Sequence, residues 1–401
     1  MIRRILSALS WPVVLTMVPI KRLAWRSQRL FVRGLLLEVT SAVDMALVML
    51  NVQNGALLLT WRAFNKGNFL FGRAVMVVSH AAADAAAVMP GQLRGSHFMG
   101  LPIVGFESTV FMTNAGPINA SQPARRVLRA HLDTEVLSEW HKNPDLEELR
   151  ARSVEALNEW LDDAAWDSMF VIRATVTRVL GRLLADIDLD KALAESVTTA
   201  YLRRFAELSA FARHAPLMLG LLGTREAMRR DVYLPLKRLG IDPLVVDMML
   251  FAGMFSVGTI VMSCVEWARR EDIDYGSLAT MQRVAFVTEC LRLHPTVSSI
   301  HRIVEEPEEL DICGELVRVR PGEEIAYPFV CANRDPAAFS EPERFRLDRR
   351  VEEVGRILSW SRGPHACPVR DLSVQVTVVM LDAMYSHKGD LRGLQLFNVE
   401  V

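Results

Sequence analysis

Cys367 closes the segment Trp360-Ser-Arg-Gly363-Pro-His365-Ala-Cys367-Pro368, just ahead of an apolar helical stretch from Leu372 to Met384. A thiol in that position sits near the positive end of a helix dipole, which stabilises the thiolate. Thiolates serve as nucleophiles or as metal ligands. His365 invites a catalytic Cys/His pair, but side chains so close on an extended loop diverge, and no other metal-ligand cluster lies nearby in the sequence. Upstream, Glu289-Cys-Leu-Arg292 puts a carboxylate and a guanidinium at i, i+3 on one face of a helix that ends at Pro295. Its flanks are apolar (Val284, Phe286, Leu291, Leu293), so the pair is expected to be buried and to need further hydrogen-bonding partners. Between these segments runs a polar, turn-rich connection, Ala332-Asn333-Arg334-Asp335-Pro336 through Pro342-Glu343-Arg344-Phe345. Arg344 is the expected third partner of the pair.

These groups need long helices to hold them. The best-defined one starts at Asp242, which can cap free amides, and Pro243, which suits a first helical turn. Its apolar pattern runs to about Arg270, roughly 42 Å at 1.5 Å per residue. A helix this long and apolar on most faces must cross the middle of the fold. Gly253 and Gly258 inside it each cost about 1 kcal/mol against alanine, which implies close approach of something bulky or tight helix packing. Residues 40–66 look helical, Gly72 to Ser79 reads as a buried strand, and 123–270 is almost wholly helical. After Pro295 the pattern changes: Ile312–Val319 alternates around Cys313-Gly314, and Pro321-Gly322 marks a turn. The expectation is one mainly α domain with a minor β region.

Length and composition set outer limits. The chain has 401 residues, 51% of them hydrophobic, with Lys+Arg 46 against Asp+Glu 47. That hydrophobicity excludes disorder, and a net charge of −1 excludes a nucleic-acid backbone as the main partner. Five scattered cysteines build neither a disulfide framework nor a CxxC zinc site, and they fit a reducing, cytoplasmic setting. The apolar run Ile5–Ile20 is too short, and too interrupted by Pro12 and Pro19, for the ~20 residues a membrane span needs. It is expected to lie on a membrane surface or pack on the domain, leaving 23–401 as the single folded domain. Mean hydropathy is +0.18, high for an ordinary soluble domain. The run Ile5–Ile20 and the stretch Ala215–Leu222 account for part of the excess, and together they could give peripheral membrane contact.

In this order and at these separations, E-x-x-R, N-R-D-P with P-E-R-F, and the W-x-x-G-x-H-x-C loop resemble a divergent, bacterial-type cytochrome P450 from about residue 66 onwards. The resemblance implies a helical core around a haem b (protoporphyrin IX iron), with Cys367 as its axial thiolate. It implies that Glu289, Arg292 and Arg344 brace the loop beneath the haem, with Arg349 as the fallback third member. It places Arg302, His365 and Arg125 at the haem propionates, although Ser121 stands where relatives often carry histidine ahead of Arg125. Trp360 holds a position in the cysteine loop that is usually phenylalanine. Arg125, Arg126, Arg129, Arg362 and Arg370 would form a basic proximal face for an acidic electron donor such as a ferredoxin. No flavin or iron–sulfur module lies within these residues, so a separate donor is expected. The implied substrate is a hydrophobic or amphiphilic small molecule lined by Phe98, Met99, Phe106, Val297 and Ser298.

The family's A/G-G-x-acid-Thr pattern at the oxygen site reads Ala252-Gly253-Met254-Phe255-Ser256 here. Ala252 and Gly253 suit the need for room beside oxygen, and Ser256 keeps a hydroxyl. Phe255 cannot relay protons. The resemblance therefore implies an O2-dependent monooxygenase first. A peroxide-driven peroxygenase or an isomerase/dehydratase comes second, and a non-catalytic haem-binding protein third.

Overall fold

A computed structural model describes residues 68–71, 74–88, 97–98, 101–102, 130, 134, 146–162, 169–211, 216–242, 245–246, 248–297, 299–304, 306–312, 315–321, 323–363 and 366–391. The chain opens with β1 (Phe69–Phe71), β2 (Ala74–Met76), α1 (His80–Val88), β3 (His97–Phe98) and β4 (Leu101–Pro102). Helices follow: α2 (Leu146–Leu161), α3 (Met169–Ala185), α4 (Lys191–Phe211), α5 (Pro216–Leu221), α6 (Thr224–Met228), a π-helical turn Arg229–Tyr233, and α7 (Leu234–Arg238). A longer π-helical stretch, Met248–Phe255, runs directly into α8 (Ser256–Arg270), and α9 (Thr280–Leu293) comes next. The last elements are β5 (Ser299–Ile303), β6 (Glu308–Ile312), β7 (Glu315–Val319), β8 (Glu324–Pro328), α10 (Phe329–Ala332), α11 (Val351–Val354) and α12 (Arg370–Lys388). The mainly helical expectation with a minor β part is what the chain adopts. The expected strand Gly72–Ser79 is shorter, Ala74–Met76, and the alternation around residue 313 is the β6–β7 hairpin, Asp311 opposite Leu316.

Two compact units share the chain, each assembled from separate stretches: Met1–Leu93 with Glu289–Ala366 and Asn398–Val401, and Arg94–Thr288 with Cys367–Phe397. In the first unit, β1, β2, β8 and β5 form one sheet in that order. The β2–β8 pair is parallel and the other two are antiparallel. β8 lies inside the sheet and is buried at all five positions, which is why, after Glu324, its sequence Ile-Ala-Tyr-Pro does not alternate apolar with polar. Val75, Ile325 and Tyr327 of the sheet share a core with Ala83 and Ala86 of α1, Phe329 and Leu358. The start of α1 is pinned by its own His80: the backbone N–H donates to Asp335 Oδ2 at 2.8 Å and the ring Nε2 pairs with the Arg356 carbonyl at 2.7 Å.

Among the described residues, the second unit is helical apart from the short β3–β4 hairpin. α3 packs against α2, α4, the π-helical stretch and α8, while α12 packs on α2 and α8. The segment Met248–Arg270 is long and apolar enough to cross a bilayer, yet most of it is buried within the protein, so it is a core helix. Its glycines answer to packing. A Cβ on Gly253 would stand 2.1 Å from Leu180 Cδ1 and 3.0 Å from the Met248 carbonyl. At Gly258 it would meet Arg173 Cγ at 2.9 Å. The close approach at Gly253 is thus made by Leu180 of α3, the tight helix packing that the sequence offered as one reading. Gly253→Ala should cost about 1–3 kcal/mol from overpacking, against the usual helical gain from alanine. Urea unfolding measures it, and a midpoint at or above wild type would show that Leu180 yields freely.

Candidate functional site: the cysteine loop, its ion network and the core helix

The network in the first unit starts from the i, i+3 spacing on α9. Arg292 donates bidentately to Glu289, Nε to Oε2 at 2.9 Å and Nη2 to Oε1 at 2.7 Å. Arg292 is 0% exposed, so every remaining donor needs an acceptor. Nη1 donates to the carbonyls of Asn333 and Pro342, both at 2.7 Å, and Nη2 to that of Arg344 at 3.1 Å. The second cation on Glu289 is Arg349. Its Nε lies 2.9 Å from both carboxylate oxygens, its Nη1 donates to the Ser340 carbonyl at 2.8 Å, and its side chain is 2% exposed. Buried Glu353 stands 3.7 Å from Arg349, so two carboxylates face two guanidiniums. Phe339 lies under both cations, with ring centroids 5.3 and 6.0 Å from the guanidinium carbons.

Arg344 does not occupy the third place. Its side chain is 74% exposed and pairs with Glu341 at 2.5 Å. The turn at 341–344 points its carbonyl inward, where Arg292 and Arg349 both donate to it, and this sends the side chain outward. The third member is thus the fallback, Arg349, five residues further on.

The network reaches the cysteine loop through Asn333, which lies inside N-R-D-P, and through Ser359. Asn333 accepts from the Leu358 N–H at 2.9 Å and donates to Ser359 Oγ at 3.0 Å, and Ser359 Oγ donates to the Leu291 carbonyl at 2.7 Å. Asn333 was legible inside N-R-D-P, and Ser359 carries no comparable signal. Arg334, next to Asn333, donates to Glu343 and to the Val330 carbonyl, and burial lowers its pKa to about 10. Beyond Ser359, Trp360 is buried, Ser361 and Gly363 take φ of 56° and 57°, and a Cβ on Gly363 would lie 3.0 Å from Val88 Cα. Arg362 Nε pairs with Asp84 of α1 at 3.1 Å. Arg362 thereby ties the loop to α1 while its side chain stays partly exposed.

In the second unit, Cys367 is half-buried and not in a disulfide, three residues ahead of the 19-residue helix α12. Cys264, Cys290 and Cys331 are buried, and Cys313 lies outside the described residues. Among the described residues no group of three or more His, Cys, Asp or Glu could hold a metal ion. A porphyrin brings most of its iron's ligands itself and asks the protein for one thiol. The donor set fits that cofactor: one thiol at the positive end of a long helix, on a loop fixed at its other end by buried hydrogen bonds.

On the core helix, Ala252, Gly253 and Phe255 end the π-helical stretch and Ser256 begins α8. A switch from π to α turns in mid-helix re-aims the residues at the junction. The Phe255 ring sits 5.3 Å from that of Phe205 and 4.6 Å from the Arg173 guanidinium, and its carbonyl accepts from Thr259 Oγ1 at 2.7 Å. Arg302 pairs by its backbone with Ile325 in the β5–β8 ladder, and Phe98 with Leu101 in the β3–β4 hairpin. Their side chains lie outside the described residues, as do Arg125, His365, Met99, Phe106, Ser298 and the segment 1–22. Val297 is 49% exposed, and so are Met218, Leu221 and Leu222 in part or largely, at the end of the 215–222 stretch.

Comparison with known proteins agrees with this geometry. The Cytochrome P450 family profile matches residues 265–381. A solved structure titled as P450BioI in complex with a hexadec-9Z-enoic acid-ligated acyl carrier protein superposes with TM-score 0.62 at 18% identity, covering 84% of this chain and 91% of that one. The chloroplastic fatty acid hydroperoxide lyase of Solanum lycopersicum is 29% identical over 134 residues, 30% of this chain and 28% of the lyase. The biotin biosynthesis cytochrome P450 of Bacillus subtilis is 36% identical over 81 residues, 20% of this chain and 19% of that protein. The matched stretch thus spans less than a third of these curated relatives. The fold is that of the cysteine-ligated haem proteins. Residues 265–381 carry the likeness to the cytochrome P450 family, whose members bind haem through a cysteine thiolate, and the fold over most of the chain is that of solved cytochrome P450 structures.

Proposed function

We propose that this protein is a haem-thiolate monooxygenase that inserts one oxygen atom from O2 into a hydrophobic small molecule, with electrons from a separate ferredoxin-type donor. Cys367 at the head of α12 is the observation that carries it. When bound, the haem supplies oxygen activation, and a thiolate ligand favours O–O cleavage. Cys367 Sγ would hold the iron, with Trp360 packed in the loop and Arg302, His365 and Arg125 at the propionates. Ser256 Oγ is the hydroxyl that would hold a proton or water on the core helix. Exposed Arg370 belongs to the basic face offered to the donor.

Pro368 has no N–H to donate towards the sulfur, which leaves a thiolate there electron-rich. Pro368→Leu should therefore raise the reduction potential of the haem protein. An unchanged potential in a redox titration would show that the amide at 368 does not reach the sulfur.

A second reading rests on Phe255. An acid is missing from the proton route, and one relative is named a lyase of fatty acid hydroperoxides. That reading is a peroxide-driven or rearranging enzyme of the same class. The two separate cleanly: monooxygenation requires turnover with NAD(P)H and a ferredoxin system. Turnover with hydrogen peroxide alone, and none with the reductase system, would move the assignment to the second. Conversion of any substrate by either route removes a purely ligand-binding role. The relatives named for fatty acid and hexadecenoic acid favour a long-chain amphiphile as the first compound to screen.

A further inference from the structure

Arg173 of α3 has an unusual setting. Its guanidinium lies against the Phe255 ring at 4.6 Å, and its stem crosses Gly258, where any side chain would collide with Arg173 Cγ. The Phe205 ring also packs on Phe255, tilted by 47° with centroids 5.3 Å apart. The Nε–H is buried without an acceptor, and among the described residues no carboxylate pairs with this side chain. Every other arginine of α3 has an acid: Arg178 meets Glu159 and Asp188, and Arg182 meets Asp186. Arg173 as a whole is half-buried, and a buried donor left without an acceptor costs about 1–3 kcal/mol. Burial without a neighbouring carboxylate lowers the Arg173 pKa to about 10, so it is still a cation at neutral pH. A cation kept at that cost beside two aromatic rings is suited to an anion that carries an apolar body.

We propose that Arg173 is a carboxylate anchor, placed by Gly258 and Phe255 to receive the acid group of an amphiphilic ligand. This rests on the reading above that the protein takes a hydrophobic or amphiphilic small molecule, and it narrows that class to organic acids. The Nε–H and one Nη–H form the fork that a carboxylate fits, and the Phe205 and Phe255 rings contact the adjoining carbon chain. A lysine, a point charge on a flexible stem, would reproduce the attraction but not the fork.

Calorimetric titration of the holoprotein with decanoic acid and with 1-decanol at pH 7.5 tests this without turnover, so the outcome is independent of which oxidant the enzyme uses. Wild type should bind the acid roughly tenfold or more tightly than the alcohol. Arg173→Met should abolish that preference while leaving the affinity for decanol within about threefold of wild type. Arg173→Lys should restore part of it. Thermal unfolding adds a readout that a structural role would move the other way: Arg173→Met should melt at or above wild type, because an unpaired cation is gone. An acid preference that survives in Arg173→Met, or wild-type protein that binds the two ligands equally, overturns the assignment.

Discussion

Cys367→Ala protein, reduced and exposed to carbon monoxide, should lack the red-shifted absorption band that marks a thiolate-bound haem, whatever haem it retains. The expectation follows from electronic structure: an axial thiolate donates charge to iron, and no neutral ligand substitutes for that donation. Exposure and placement single out Cys367. Cys264, Cys290 and Cys331 are buried at 1% exposure or less inside packed elements, where approach of a macrocycle would require unfolding. Cys264→Ala, Cys290→Ala and Cys331→Ala should each keep the band. The helix contributes as well. An α12 of 19 residues presents about half a unit of positive charge to whatever precedes it, which favours a negatively charged ligand there. Persistence of the band in Cys367→Ala would transfer the ligand to another thiol and take the proposed activity with it.

The parts of this protein legible in its sequence are those governed by local spacing. Glu289 and Arg292 meet because i, i+3 residues share a helix face, and Cys367 precedes α12 because the apolar period begins at once after it. The choice between Arg344 and Arg349 was not local in this sense. Both lie on the same turn-rich connection, and which one points inward depends on the dihedral path through 340–350. That path is set by carbonyls seeking donors on α9, 50 and 52 positions earlier. The π-helical stretch is hidden for another reason: Met248–Phe255 is apolar at every position, so no periodicity separates one helical register from another. Arg173 facing Phe255 joins positions 82 apart, and nothing in either segment marks the other. The same holds for Leu180 opposite Gly253, where the sequence shows that space is kept but not for whom.

The ion network gives the second large effect and separates two arginines of similar sequence context. Arg349→Ala should destabilise the protein by about 3–5 kcal/mol, the range for breaking a buried pair and stranding its partner. Glu289 would keep Arg292, but it would lose the donor that bridges both its oxygens, and the Ser340 and Arg344 carbonyls would each lose an N–H. Buried Glu353 would lose Arg349 at 3.7 Å and keep the exposed Arg350 at the same distance. Arg349→Lys should recover little, since one ammonium cannot serve a carboxylate and two carbonyls from the geometry of a planar fork. Arg344→Ala should change stability by less than about 0.5 kcal/mol, as exposed pairs do, because alanine keeps the carbonyl that carries the inward contacts. The double variant should then match Arg349→Ala alone. Urea unfolding of the holoprotein measures all four, and haem content reports whether the damage spreads along Asn333 and Ser359 to the cysteine loop. An Arg344→Ala loss equal to that of Arg349→Ala would return the network to the membership that the E-x-x-R and P-E-R-F motifs first suggested.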